Sequence, residues 1–86
     1  MFTIEWTKRA VKQLSKIQPQ NQRRAIGSAV GALQTDPINH VNVKALINHD
    51  QDYRLRVGNY RVLFNIEQSL EIIKIEKVVK RDERTY

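Results

Sequence analysis

The stretch that most constrains this chain is Tyr53–Phe64, YRLRVGNYRVLF. Tyr53, Leu55 and Val57 alternate with Arg54 and Arg56. After Gly58-Asn59, Tyr60, Val62, Phe64 and Ile66 alternate with Arg61, Leu63 and Asn65. A period of two is the pattern of a strand with one buried face, and Gly-Asn can supply the positive φ angles of a two-residue hairpin loop. With that loop the register follows: Val57 faces Tyr60, Leu55 faces Val62 and Tyr53 faces Phe64. These six side chains share one face, which other elements must cover. On the opposite face Arg56 stands directly across from Arg61, with Arg54 two residues along. Like charges directly opposed destabilise a sheet, whereas favourable cross-strand pairs contribute about 0.2–1 kcal/mol. Folding alone does not ask for three arginines there. A bound anion relieves the repulsion, and the planar guanidinium fork suits phosphate better than an ammonium does. The plain alternative is a wetted face whose charges serve solubility and edge protection.

The rest of the chain supplies cover for the apolar face. Phe2, Ile4 and Trp6 alternate with Thr3 and Glu5, which predicts a short first strand. Thr7 is a hydroxyl N-cap for a helix carrying Ala10, Val11, Leu14 and Ile17 inward and Lys8, Arg9, Lys12 and Lys16 outward. Pro19 stops that helix and opens a second, in which Ile26, Val30 and Leu33 form a stripe beside Ala25, Ala29 and Ala32. Gly27 and Gly31, four apart, fit close helix packing. Thr35-Asp36-Pro37 ends the second helix. Residues 38–52 carry no clear period; Val41, Val43, Leu46 and Ile47 imply that the segment packs down, and residues 48–52 form a polar turn cluster. Leu70–Val79 is rich in β-branched residues and reads as a last strand. If Gln68-Ser69 is its two-residue turn, Phe64 faces Ile73, Val62 faces Ile75 and Arg61 faces Glu76. The expected fold is α+β: a helical hairpin packed on a mainly antiparallel four-stranded sheet, in the order β-α-α-β-β-β.

Length and charge bound the function. A chain of 86 residues forms a single domain, residues 1–86, that buries only about 60–65% of its unfolded surface. There is little room for an enclosed cofactor pocket. Fifteen Lys and Arg against nine Asp and Glu give a formal charge of +6, which favours encounter with polyanions. The cations lie inside the patterned segments, so a folded surface would do the binding. No apolar run reaches the roughly 20 residues needed to span a bilayer, and the start lacks a secretory pattern. With no cysteine, disulfide scaffolds, Cys-based zinc sites and thiol nucleophiles are excluded, and a cytoplasmic setting with no membrane partner is expected. The two histidines, His40 and His49, lack a third ligand nearby in sequence and the acids are scattered, so no metal and no cofactor are expected. Three glycines form no phosphate-cradling loop.

The hairpin Tyr53–Phe64, the basic ending Lys80-Arg81-Asp82-Glu83-Arg84-Thr85-Tyr86 and the opening Trp6-Thr7-Lys8-Arg9-Ala10 together resemble the RelE/ParE superfamily of bacterial toxins, over nearly the whole chain. That resemblance implies a compact α+β toxin domain. The RelE branch cleaves mRNA in the ribosomal A site; the ParE branch inhibits DNA gyrase and generally lacks the basic catalytic set. The retained cations favour RelE. The resemblance further implies partners: mRNA and rRNA at the A site of the small ribosomal subunit, an antitoxin protein, and operator DNA only through the antitoxin complex. A non-cleaving nucleic-acid-binding module is the remaining alternative.

By position, Arg61 resembles the family's phosphate-clamping arginine, Arg81 the residue at the leaving group and Tyr86 the tyrosine that stacks on substrate. Arg56 joins them in the expected catalytic set. Arg54, Lys74, Lys80 and Arg84 are expected to bind substrate, and Lys44 to help electrostatically. Arg54 and Arg56 stand where the best-known relatives carry lysines. Arginine does not give up a proton readily, so the general base is open. His49 and Glu76 are its candidates.

Overall fold

In a computed structural model, residues 1–81 are described. Arg84 and Tyr86 therefore lie outside the described residues. The elements run β1 (Thr3–Trp6), α1 (Lys8–Ser15), α2 (Gln20–Ala32), β2 (Val43–Ala45), β3 (Tyr53–Val57), β4 (Tyr60–Glu67) and β5 (Ile72–Lys80). The strands form one sheet in the order β1-β5-β4-β3-β2. All neighbours are antiparallel except β1 and β5, which pair in parallel with Thr3 opposite Ile72 and Trp6 opposite Ile75. The α+β class stands as expected, but the sheet has five strands. The extra one, β2, is three residues long and too short to show alternation.

Local chemistry explains the helices. Thr7 is extended at φ −70° and ψ 159°, and its Oγ1 accepts the Ala10 N–H at 3.1 Å, capping α1. The same hydroxyl donates to the Glu76 carbonyl on β5, fixing the start of α1 against the sheet. The Gln13 side chain accepts the Val78 N–H at 2.7 Å, tying the far part of α1 to the same strand. Pro19 is the N-cap of α2, as its missing N–H allows. Ala10, Ile17, Ile26, Val30 and Leu33 from the helical region meet Leu55, Tyr60, Val62, Phe64, Ile73, Ile75 and Val78 from the sheet in one core. Phe2, Ile4 and Trp6 pack at its margin, as their alternation indicates.

Several expectations are corrected. Val11 is half exposed, and Ala25 and Ala32 are exposed, so the helical stripes are narrower than their apolar content suggests. Gly27 and Gly31 face open space, where an added Cβ would meet no atom within 4 Å. They do not mediate packing. Val41 and Ile47 do not pack down: they are 90% and 87% exposed.

The first hairpin has the expected register: Tyr53–Phe64, Leu55–Val62, Val57–Tyr60, and Arg56 opposite Arg61. Only Gly58 takes a positive φ, +56°, the glycine position of a type II′ turn. The second hairpin differs. Glu67 pairs with Ile72 across the four residues 68–71, with Glu71 at φ 51°, and Leu70 is exposed in that loop. Phe64 therefore faces Ile75, and a bulge follows. Leu63 pairs with Lys77, so Glu76 has no opposite number, and Val62 faces Val78. Arg61 faces Val79, not Glu76. An unpaired residue reverses the alternation beyond it. Lys77 and Val79 thus join the face turned away from the helices, and Lys80, opposite Tyr60, falls on the helix side.

Candidate nucleic-acid interface

On the face turned away from the helices, pairing sets the side chains in rows. Lys44, Arg54, Leu63 and Lys77 form one row across β2, β3, β4 and β5. Arg56, Arg61 and Val79 form the next, toward the hairpin end. Directly opposed residues have Cβ atoms only about 4.5–5.5 Å apart, so the five cations form one patch. Leu63 and Val79, fully and nearly fully buried, lie among them as apolar ground. Among the described residues the ion pairs are the N-terminal ammonium with Glu71 at 3.3 Å and Arg9 with Glu76 at 4.0 Å. No described carboxylate pairs with the patch.

The three arginines are not equivalent. Arg56 is exposed. Arg54 is half exposed, and its Nη1 donates to the Asn42 carbonyl at 3.1 Å. Arg61 is only 6% exposed. Its Nη1 turns back onto its own hairpin, donating to the Gly58 carbonyl at 3.0 Å and the Tyr60 carbonyl at 2.9 Å. Its Nε is buried with no hydrogen-bond partner among the described residues. The expectation that folding gives no employment to these arginines is thus corrected for Arg61: it braces the turn. A buried, unpaired donor on a cation is costly, and an anionic oxygen is the acceptor that would satisfy it best.

The remaining candidates separate into three places. Arg81 and Lys80 lie at the hairpin end, where the Arg81 N–H donates to the Asn59 carbonyl at 2.7 Å. Both line a polar groove with Gln18, Gln22, Asn59 and Tyr60. Lys74 pairs with Asn65, in the row beyond the patch toward the Glu67 end. His49 also belongs to that end. It precedes β3, while Arg56 stands near the strand's finish, and four residues of strand span about 13 Å. Its Nδ1 accepts the Gln51 N–H at 3.2 Å, and the Nδ1 of His40 likewise accepts from Asn42 at 3.1 Å. Both rings help to shape turns. Glu76 reaches Arg9 of α1, so neither candidate base stands with the arginine patch. Among the described residues no three His, Cys, Asp or Glu side chains gather as a metal site would require, and no helix is long and apolar enough to cross a membrane. Lys77 is the patch residue that sequence reading missed. Simple alternation from Lys74 points it the other way, and only the bulge brings it round.

A two-helix, five-strand fold carrying a cationic patch on the sheet face turned away from the helices defines the class, and comparison with known proteins places the chain within it. Residues 4–85 match the family described as the ParE toxin of type II toxin-antitoxin system, parDE. A protein of Methanocaldococcus jannaschii that carries the toxin name RelE1 is 31% identical over 83 residues, covering 94% of this chain and 91% of that protein. Among solved structures, a chain of the archaeal RelE-RelB complex from Pyrococcus horikoshii OT3 is 27% identical with a TM-score of 0.81, covering 95% of this chain and 97% of that one. A chain of the toxin-antitoxin complex RelBE2 from Mycobacterium tuberculosis is 26% identical with a TM-score of 0.75, covering 93% and 98%. This chain belongs to the RelE/ParE family of type II toxin-antitoxin toxins.

Proposed function

We propose that this protein is a RelE-type toxin: a metal-independent endoribonuclease that cuts mRNA in the ribosomal A site, stops translation, and is silenced by an antitoxin of the RelB kind. The observation that carries the reading is the row in which Arg56 opposes Arg61, flanked by Arg54, Lys44 and Lys77 and met by no described carboxylate. RNA brings its own nucleophile. The 2′-hydroxyl loses its proton and attacks the adjacent phosphorus. The new 2′-O–P bond forms as the P–O5′ bond breaks, and the departing 5′-oxygen takes a proton, leaving a 2′,3′-cyclic phosphate and a 5′-hydroxyl. The protein must hold the phosphate, offset the charge developing on its oxygens and assist the leaving group. Positioning and fixed charge can accomplish most of that. Arg56 is free to grip a non-bridging oxygen, Arg61 adds a fixed positive charge behind it, and Arg81 serves the 5′-oxygen. Tyr86, outside the described residues, is assigned by position to stack on a base. With no candidate base beside the patch, the ribosome is left to align the 2′-hydroxyl and receive its proton.

A second reading is a ParE-type gyrase inhibitor. It is favoured by the description of the matching family and by the way Arg61 is drawn onto its own turn. Induction without antitoxin separates the readings. Mapped 5′ ends should appear on translated mRNA and fall by about 10²–10³ in Arg56→Ala and Arg81→Ala, the usual effect of losing an oxyanion donor. Intact mRNA with broken chromosomal DNA would instead establish the gyrase reading. Salt-sensitive nucleic-acid binding with neither outcome would leave a non-cleaving module.

A further inference from the structure

We infer that the polar groove at the hairpin end is a nucleobase subsite that reads the nucleotide downstream of the scissile phosphate. This deepens the endoribonuclease reading and rests on it. The groove encloses about 460 Å³ and is lined by Gln18, Gln22, Asn59, Tyr60, Lys80 and Arg81. That volume lies within the roughly 300–1,000 Å³ usual for small-molecule sites.

Its chemistry is specific. Three carboxamides, an aromatic and two cations line it, with no carboxylate among the described residues. Among the described residues, none of the side-chain amides of Gln18, Gln22 and Asn59 takes part in a hydrogen bond, although Gln22 is half buried. An amide offers a donor pair and an acceptor from one planar group, which is what the polar edge of a base requires. A phosphate alone would call for cations without amides. An apolar peptide would call for walls like those of the groove along α1, where Trp6 and Val11 provide the apolar surface.

The walls are held in place. Asn59 accepts from the Arg81 N–H, and Lys80 pairs with Tyr60 across the ladder. The link that carries Gln18 is fixed on both sides. Lys16 and Ile17 donate back to Gln13 and Leu14, and the Arg23 guanidinium donates to the Ile17 carbonyl at 2.5 Å. Ile17 anchors the link in the core.

Topology gives the direction. Val79 stands beside Arg61 in the arginine row, and Arg81, two residues on, lines the groove. An RNA strand with its phosphate at Arg56 and Arg61 and its departing 5′-oxygen at Arg81 carries the next base into the groove.

The test is 5′-end mapping on cellular transcripts after induction of wild type, Gln18→Ala/Gln22→Ala and Gln22→Met; the last keeps the side chain's length and removes its amide. Both glutamines are wholly or partly exposed, and thermal melting confirms that the variants fold. The expected result is base preference at the first nucleotide of the downstream fragment in wild type, reduced about tenfold or more in both variants, with preference at the upstream nucleotide retained. Preference that is unchanged in the variants, or absent downstream in wild type, overturns the subsite and leaves the endoribonuclease reading standing. Absence of cuts with wild type overturns both.

Discussion

Arg61 and Arg56 face each other across one hairpin, yet their removal should have opposite effects on stability. In Arg61→Ala the Gly58 and Tyr60 carbonyls lose a shared charged donor, at 3.0 and 2.9 Å. Hydrogen bonds to charged groups contribute about 1.5–3 kcal/mol, and relief of the cross-strand repulsion returns about 0.2–1 kcal/mol, so the net loss is about 2 kcal/mol. For a domain of this size that corresponds to a fall in Tm of about 8–16 °C. Arg56 is exposed and its side chain makes no hydrogen bond or ion pair among the described residues; its backbone N–H bond to the Asn42 carbonyl survives truncation, so Arg56→Ala removes repulsion alone. Its stability should be unchanged or higher by up to about 1 kcal/mol. Thermal and urea unfolding of the two purified variants beside wild type measures the difference. The reasoning is refuted if Arg61→Ala melts within about 2 °C of wild type, or if Arg56→Ala falls as far as Arg61→Ala. The contrast also bears on toxicity assays. Loss of killing in Arg61→Ala would mix a weakened fold with loss of the proposed phosphate contact, whereas loss in Arg56→Ala would report on the proposed contact alone.

Three further outcomes are expected. Gly58→Ala should cost about 1–2 kcal/mol in urea unfolding, because φ is +56° there while an added Cβ meets no atom within 4 Å, so the penalty is wholly conformational. Phe64→Ala, at a fully buried side chain stacked 5.6 Å from the Tyr53 ring, should cost about 3–5 kcal/mol, a large share of the roughly 5–15 kcal/mol usual for a domain, read as a steep fall in Tm by circular dichroism. Glu76→Gln should leave mRNA cutting intact in the mapping assay, since that carboxylate faces Arg9 and not the arginine row; a drop of the size expected for Arg81→Ala would restore it as a base.

The first hairpin was legible down to its register because Gly58-Asn59 leaves one way to fold the alternation on either side. The second was not, for two separate reasons. Its turn has four residues, with an ordinary Glu71 in a left-handed conformation that no residue type announces. Its last strand also carries a residue that the ladder skips. Either alone shifts the partners of β4. Together they moved Arg61 from Glu76 to Val79, and the skipped residue alone exchanged Lys77 for Lys80 on the arginine face. β2 escaped notice because three residues with one half-buried side chain carry no period. The candidate site divides along the same line. The Arg56–Arg61 opposition was readable from local spacing. The withdrawal of Arg61 onto the turn was not, because a long side chain's path depends on the carbonyls within its reach.

The parallel pairing of β1 with β5 joins segments 69 positions apart, Thr3 with Ile72, and β5 also completes the flank of β4. Until residues 72–80 have emerged during synthesis, the opening strand has no neighbour to dock on and the hairpin lacks an inner edge. The arginine row and the polar groove at its end thus form together, both depending on β5. The sheet and the patch it carries are complete only once β5 is seated between its two neighbours.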